Sequence, residues 1–249
     1  MTLYQYAVCP FCNKVRATLD YYNVPYTVVE VNPLLKSEIK WSKTYKKVPI
    51  VTLGGDTLTN SSDIMRGLKA EYGRPGGRAS LFGGGAAREA AEKEEAKWLR
   101  WVDDSLVHYL SPNIYRNATE AMQAFDYIVQ EGNFGFWERT AARYSGAVAM
   151  YALTHLRLKK KYNIVNEREE LYEKLEEFVD AIGPRRDFLG GRDPNLADLA
   201  VFGVIRAIAG MDTFTDVMAN TRLQPWYARM AAAVGEPSRI NVPASESGA

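Results

Sequence analysis

The stretch Thr2–Cys12, TLYQYAVCPFC, decides the fold of this chain. Its first five residues are typical of a short β-strand, and the tetrapeptide CPFC follows two residues later. Pro10 suits the first position of a helix because its missing N–H would have no partner there. Cys9 is therefore predicted to cap that helix, facing unpaired backbone N–H groups and the positive end of the helix dipole. A thiolate is stabilised there, and the thiolate is the reactive form of cysteine.

A CxxC motif has three common interpretations: a redox pair, half of a metal site, or chance. Structural zinc usually takes four protein ligands, and the whole chain has two cysteines and two histidines, so no metal site is expected. A structural disulfide between such close neighbours would remove little chain entropy. A strand followed by CPFC and a helix is instead typical of a thioredoxin-like redox or thiol site.

The composition is that of an ordinary globular protein. The 249 residues are 47% hydrophobic and 24% charged, with a net charge of +1, which fits two domains and gives no sign of a nucleic-acid partner. Two cysteines in one motif fit a reducing compartment. No apolar run approaches the roughly 20 residues needed to span a bilayer, and no signal peptide precedes the first strand. We therefore expect a cytoplasmic protein, membrane-associated if an upstream anchor has been removed.

Residues 1–73 are predicted to form an α/β domain with the thioredoxin-like order strand, helix, strand, helix, strand, strand, helix. The predicted strands are Thr2–Tyr6, Thr27–Val31, Val48–Leu53 and, after a Gly54-Gly55 turn, Asp56–Thr59. The predicted helices are Pro10–Tyr22, Leu34–Trp41 and a segment capped at Asn60–Ser62 that runs to about Tyr72.

The rest of the chain is predicted to be helical. Residues 74–85, rich in glycine, arginine and proline, are interpreted as a linker, residues 86–241 as an all-α domain and residues 242–249 as a disordered tail. The predicted helices are Ala86–Leu110, Glu120–Gln130, Phe136–Lys161, Asn166–Ile182 and a last one from Asn195 to Gly210. Asn166 with Glu169, and Asn195 with Asp198, have the spacing of a capping box. A buried acidic partner is expected for Arg206.

Eight short segments lie in order along nearly the whole chain: Leu3–Tyr6, Cys9–Cys12, Val28–Pro33, Lys47–Ile50, Ser111–Arg116, Phe125–Val129, Asn195–Val201 and Gln224–Tyr227. Together they resemble the membrane-associated prostaglandin E synthase type 2 family, within the glutathione transferase superfamily. The resemblance implies an α/β thioredoxin-like N-terminal domain followed by an all-α glutathione-transferase-like C-terminal domain, assembled as a homodimer.

Four residues are the candidates for chemistry. Cys9 is predicted to be the nucleophile, and Cys12, one turn deeper, is either a resolving thiol or a packed side chain. Phe11 would wall an apolar substrate pocket, unless it is simply a surface aromatic residue. The resemblance implies an active-site tyrosine at Tyr6, whose hydroxyl would hydrogen bond the thiolate and lower its pKa; the alternative is a strand tyrosine packed in the sheet.

Five residues are the candidates for binding glutathione, which the resemblance implies as cofactor. Pro49 is expected to be cis, turning the backbone N–H and C=O of Val48 toward the cysteine, with Lys47 adding positive charge nearby. Asn60 and Ser61 would hold the γ-glutamyl end at a helix N-terminus. The family usually has an acid where Asn60 stands, so this contact is expected to be weaker. The alternative for this pair is a helix cap alone.

The resemblance also implies haem beside glutathione in the cleft between the domains. His108 would approach that cleft, although a lone histidine on a helix is commonly structural. Arg157 and Lys160 would pair with carboxylates of haem or a fatty acid. Their alternative role is as cations at a helix C-terminus, which the helix dipole favours.

Three functions follow as hypotheses. The resemblance implies an isomerase that converts the lipid endoperoxide prostaglandin H2 to prostaglandin E2 through the Cys9 thiolate, with glutathione and haem as ligands. The CPFC motif also suits a glutathione-dependent thiol–disulfide oxidoreductase close to glutaredoxin. The third hypothesis is a carrier of haem or glutathione conjugates with a vestigial cysteine and no turnover.

Overall fold

The structure is a computed structural model that describes residues 1–73, 85–133 and 145–240. The predicted tail 242–249 and all of the predicted linker 74–85 except Gly85 lie outside the described residues. So does the part of the predicted helix Phe136–Lys161 up to residue 144.

The first domain contains a four-stranded mixed sheet in the order β2-β1-β3-β4. Strand β1 is parallel to β2 and antiparallel to β3, which pairs in turn with β4. Helix α1 makes the crossover that a parallel pair requires, and α2 follows β4. The bounds are β1 Thr2–Gln5, α1 Pro10–Tyr21, β2 Thr27–Glu30, β3 Ile50–Leu53, β4 Asp56–Thr59 and α2 Ser61–Tyr72. The predicted thioredoxin-like fold is confirmed, and its four strands and helices α1 and α2 follow in the predicted order.

One predicted element of this domain is wrong. The segment Leu34–Trp41 is not a short helix: it contains one 3-10 turn, Ser37–Ile39, within a longer loop. The backbone of Lys36 has a φ of 49°, in the left-handed region, and a right-handed helix cannot pass through such a residue.

The second domain is helical, as predicted. Helix α3 continues through a π-helical turn, Val102–Leu106, into α4, and α6 continues through Thr154–Leu158 into a last turn, Lys159–Lys161. The bounds are α3 Gly85–Trp101, α4 Val107–Ile114, α5 Ala118–Glu131, α6 Ala147–Leu153, α7 Glu167–Ile182, α8 Leu196–Arg206, α9 Asp212–Asn220 and α10 Gln224–Val234. Within the described ranges, no helix has both the length and the apolar character needed to cross a bilayer.

The capping box at the start of α8 is confirmed and has a second role. The Asn195 side chain accepts from the backbone of Asp198, whose carboxylate accepts in return from the Asn195 N–H at 3.0 Å. The same buried carboxylate also accepts from the N–H groups of Leu189 and Gly190 and from Trp226 Nε1. Asp198 therefore joins the start of α8, the preceding loop and α10. The predicted extension of this helix to Gly210 is wrong, because α8 ends at Arg206 and a turn follows.

The predicted capping pair at the start of α7 is also wrong. The Asn166 side chain makes no capping hydrogen bond. Glu170, rather than Glu169, reaches back, and its Oε1 accepts from the N–H groups of Val165 at 2.7 Å and Asn166 at 2.9 Å. An acid one position further along the helix satisfies the same orphan donors.

Helix α1 is shared between the two domains. One face covers the sheet and the other packs against α8, where a Cβ on Gly203 would lie 2.6 Å from backbone atoms of Asn13 and Lys14. The expected acidic partner of Arg206 is Asp20, which is almost fully buried and lies 3.2 Å from the guanidinium. The relative position of the domains thus depends on the close approach of two helix backbones.

A buried charge strengthens this contact. Lys14, in α1, is fully buried, and its Nζ lies 2.5 Å from Asp103 Oδ1 and 2.9 Å from Ser62 Oγ. The Ser62 hydroxyl donates to the other oxygen of Asp103. This network connects α1, α2 and the π-helical turn of the second domain.

We predict that Gly203→Ala lowers the free energy of unfolding by about 3 kcal/mol, because the new methyl group meets backbone that cannot move aside. Gly67→Ala is the matched control: it lies in α2, where a Cβ meets its nearest atom at 3.9 Å. The control should gain up to about 1 kcal/mol from higher helix propensity. Urea unfolding followed by circular dichroism measures both, and equal changes would contradict the close packing.

Candidate active site

Cys9 occupies the N-cap of α1, as the sequence predicts. Its sulfur accepts from the Cys12 thiol, and the backbone N–H groups of Cys12 and Phe11 favour a negative charge on it. These contacts, of which the Cys12 thiol has the largest effect, lower the pKa of the Cys9 thiol although burial acts against them. Cys9 is partly exposed, so the stabilised thiolate is accessible.

Cys12 is fully buried and has the opposite behaviour. Burial raises the pKa of its thiol well above the ordinary value, and the neighbouring Cys9 raises it further. Cys12 therefore keeps its proton and donates it to Cys9, while the Tyr6 backbone N–H donates to the Cys12 sulfur. The two thiols form one chain of hydrogen bonds that ends on the exposed sulfur.

The Tyr6 side chain packs beside this pair, against the cluster that contains Cys12 and Val48. Burial and the charge of Cys9 raise the pKa of Tyr6 to about 12, so its hydroxyl stays protonated. Among the described residues, that hydroxyl has no hydrogen-bond partner. The role of donor to the Cys9 thiolate, predicted for Tyr6, therefore remains a prediction.

A buried carboxylate lies under the loop that leads to Cys9, and sequence reasoning missed it. Glu30, at the end of β2, accepts from the Ala7 N–H at 2.6 Å and from Gln5 Nε2 at 3.1 Å. Burial raises the pKa of Glu30 to about 7, and its charge raises the pKa of Cys9. The sequence did contain a signal for Glu30. It is an acid at the end of the strand parallel to the one that precedes CPFC, and neighbouring parallel strands end at the same edge of a sheet.

An apolar cavity of about 330 Å³ opens beside Cys9, between the two domains. One wall is the loop Val8–Phe11, which places Phe11 where the sequence predicted it. The opposite wall is α4 with His108, and Tyr162 and the residues after α8 complete the enclosure. A partly exposed cysteine sulfur thus faces a space that suits an apolar molecule.

The predicted glutathione corner assembles in part. The Val48-Pro49 bond is cis and both residues are buried, whereas Lys47 is exposed. The Asn60 side chain accepts from the N–H groups of Ser62 and Asp63, so its oxygen is used as a helix cap. The hydroxyl of Ser61, which is almost fully buried, has no partner in the described part of the chain.

Residues 3–76 match the family described as glutathione S-transferase, N-terminal domain. The chain is 43% identical to Prostaglandin E synthase 2 of Danio rerio, over 94% of this chain and 71% of that protein. It is 42% identical to Prostaglandin E synthase 2 of Mus musculus, over 97% of this chain and 72% of the relative. The chain belongs to the prostaglandin E synthase 2 family.

Solved structures place this prostaglandin E synthase 2 family member within the fold of glutathione transferases. The β-etherase LigF of Sphingobium sp. strain SYK-6 matches with a TM-score of 0.61 at 17% identity, over 94% of this chain and 96% of that one. The human glutathione S-transferase T1-1 matches with a TM-score of 0.56 at 19% identity, over 94% and 84%. At these identities the likeness shows the fold alone.

The residues predicted to hold haem are not brought together. His108 lies on the cavity wall, stacked on Tyr162 with ring centroids 4.1 Å apart. Burial and the nearby Lys161 lower the pKa of His108, so its imidazole is neutral at pH 7. Arg157 and Lys160 are exposed and lie outside the cavity, because the helix directs Leu158 and Tyr162 into it instead.

We predict that Cys12→Ala raises the pKa of Cys9 and slows its alkylation at pH 7 roughly tenfold, because a hydrogen bond to a charged group is lost. Cys12→Ser retains a donor and should react at close to the wild-type rate. The measurement is iodoacetamide labelling of Cys9 against pH, followed by mass spectrometry. Equal slowing in the two variants would exclude the thiol as the stabilising donor.

The raised pKa of Glu30 predicts that the free energy of unfolding falls as pH rises. Its pKa is about 7 in the folded chain, against an ordinary value of 4.5, so the folded state holds a proton that the unfolded state releases. The stability that this proton contributes, up to about 3 kcal/mol, is present below pH 4.5 and is lost as pH rises through 7. Arg16 and Glu131, which act on this carboxylate in opposite directions, are unchanged in the test.

The test variant is Glu30→Gln, which keeps an acceptor for Ala7 but does not titrate. Its free energy of unfolding should change less than that of the wild type between pH 5 and pH 8, as measured by urea denaturation at each pH. The raised pKa would be contradicted if the wild type lost no more stability than the variant between pH 5 and pH 8.

Proposed function

We propose that this protein isomerises prostaglandin H2 to prostaglandin E2, with the Cys9 thiolate as nucleophile. The observation that carries the proposal is a cysteine of lowered pKa that opens into an apolar cavity between the domains. The family supports it, because two relatives at 42–43% identity are named Prostaglandin E synthase 2. A lipid endoperoxide is the substrate class that an apolar cavity of this kind would accept.

The reaction proceeds through a sulfur–oxygen bond. The Cys9 thiolate attacks one oxygen of the endoperoxide, the weak O–O bond breaks, and the second oxygen leaves as an alkoxide that takes up a proton to become the hydroxyl group. A base then removes the hydrogen from the carbon that carries the first oxygen. The electron pair of that C–H bond forms the second carbon–oxygen bond of the carbonyl group. The S–O bond breaks at the same time and returns the thiolate. Atoms and electrons balance, so one sulfur is sufficient.

His108 is proposed as the base. It shares the cavity wall with the Cys9 loop, and its lowered pKa keeps the imidazole neutral and able to accept a proton at pH 7. The resulting imidazolium would return the proton to solvent. Phe11 shapes the cavity beside the sulfur.

Glutathione is proposed as the cosubstrate. Ser61, with an unpaired hydroxyl, and the Val48 backbone beside cis Pro49 would hold it, and Asn60 would contribute less than an acid because its oxygen caps α2. Its thiol supplies reducing equivalents that keep Cys9 and Cys12 from forming a disulfide.

Haem does not fit the described cavity. No arginine or lysine lines the described part of its wall, so the propionates would be buried without counter-charges, which is costly. No step of the proposed reaction involves haem.

A second function is favoured by the hydrogen bond from the Cys12 thiol to Cys9. A buried thiol one turn below a thiolate is placed to resolve a mixed disulfide, which is the chemistry of a glutaredoxin-like oxidoreductase. The two functions differ in their need for a second sulfur, so the same variants separate them.

We predict that Cys9→Ser reduces the formation of prostaglandin E2 from prostaglandin H2 to the uncatalysed rate. Cys12→Ser should keep activity within about tenfold of wild type, because its hydroxyl still donates to the thiolate. The assay is product analysis by chromatography, with glutathione-coupled reduction of a small mixed disulfide measured on the same preparation. Wild-type product ratios identical to those in buffer, together with rapid disulfide reduction, would reject the isomerase in favour of the oxidoreductase.

A further inference from the structure

One loop of the first domain has a charge unlike that of the rest of the chain. The segment Leu34–Lys47, called the basic loop below, contains a single acid, Glu38, and five lysines: Lys36, Lys40, Lys43, Lys46 and Lys47. Its net charge is +4 in a chain whose total is +1, so the remainder is negative overall. Such a concentration of charge attracts an anionic partner to this loop in particular.

The basic loop also exposes large apolar side chains. Leu34 is 64% exposed, Leu35 is 61% exposed and Trp41 is 45% exposed. Asn32 Oδ1 accepts from the N–H groups of both leucines at 2.9 Å and so fixes the turn that carries them. Trp41 is held by its Nε1, which donates to the Glu38 carbonyl at 2.8 Å.

The basic loop is held in place by packing and by hydrogen bonds. Ile39, at its centre, is fully buried in the cluster that contains Cys12 and Val48. Lys36 Nζ donates to the Lys46 carbonyl at 3.3 Å and thereby joins the two ends of the loop.

The one acid of the basic loop is engaged within the protein. Glu38 accepts from the Asn32 N–H at 3.0 Å, from the Ser37 hydroxyl at 3.0 Å and from Asn133 Nδ2 at 3.1 Å. Four of the lysines are exposed. The charge that the loop presents to a partner is therefore positive.

We propose that the basic loop docks on an anionic lipid membrane. Leucine and tryptophan side chains enter the boundary between headgroups and acyl chains, while lysines on the same loop pair with lipid phosphates and carboxylates. A second copy that presented the same loop fits poorly, because the two loops would repel each other. An acidic protein would satisfy the lysines but would not require two adjacent exposed leucines.

The basic loop borders the candidate active site, since Ile39 and Tyr45 pack in the same cluster as Cys12. A chain docked through this loop would hold the Cys9 cavity close to a lipid surface. The docking rests on the residues of the loop alone and does not depend on the proposed isomerase.

The test is co-sedimentation of the full chain with vesicles of phosphatidylcholine, with and without phosphatidylserine. Binding should need phosphatidylserine and weaken as salt is raised. Lys40→Ser with Lys43→Ser should weaken binding by about fivefold per lysine, and Leu34→Ser with Leu35→Ser by about tenfold. Leu156→Ser is the matched control, because Leu156 is 66% exposed in the segment Thr154–Leu158 that follows α6, outside the loop, and it should bind like the wild type.

Circular dichroism and the unfolding midpoint of each variant establish that the fold is retained. Equal loss of vesicle binding in Leu156→Ser would overturn the assignment to the basic loop. Binding to polyglutamate but not to vesicles would reject the membrane in favour of an acidic protein. A change of oligomeric state in the leucine variant, seen by sedimentation velocity without vesicle binding by the wild type, would show that a second copy covers the loop.

Discussion

The buried ammonium group of Lys14 constrains the arrangement of the two domains. A charge that is fully removed from water must have an ionic partner, and that partner, Asp103, comes from the second domain. Loss of one member of such a pair typically costs about 3–5 kcal/mol, because the other charge stays buried. Lys14 lies in α1, close to Cys9, and its Nζ also lies 5.9 Å from the centre of the Phe11 ring. The contact that joins the domains is therefore also the contact that supports the thiol site.

The two cysteines have opposite roles because they differ in exposure and hydrogen bonding. Cys9 collects backbone donors at a helix N-terminus, whereas Cys12 is surrounded by apolar side chains that disfavour a charge. The pair thus holds one proton, which stays on the buried sulfur. The same arrangement serves nucleophilic attack by one sulfur and disulfide exchange by two, which explains why two chemistries are proposed for one site.

The two domains supply different parts of the site. The first domain provides the reactive group, through the Cys9 loop and Glu30 beneath it, and the basic loop lies on the same domain. The second domain provides the apolar surface opposite, through α4 with His108 and the residues after α8. Because Gly203 lets α8 approach the backbone of α1 directly, a small change of that contact would change the width of the cavity.

Local rules were sufficient for the order of the elements, the cap at Cys9 and the capping box at Asn195, because each depends on residues within a few positions of one another. They failed at Lys36, where a single left-handed residue breaks the predicted helix, and at Glu170, which took the capping role expected of Glu169. The exposure of Arg157 and Lys160 could not be predicted either, because the sequence does not tell which face of their helix borders the cavity. The family resemblance and the cis bond at Pro49 were correct because motifs along the whole chain carried them.

The sequence by itself determined that Cys9 would stand at the N-cap of a helix in an α/β domain followed by a helical one, since helix capping and hydrophobic periodicity are local properties. Tertiary structure alone decided the pairing of Lys14 with Asp103, the raised pKa of Glu30 and the place of His108 in the cavity wall. Each of these depends on the burial of a charge or on the meeting of residues far apart in the chain, and both arise only when the domains pack together.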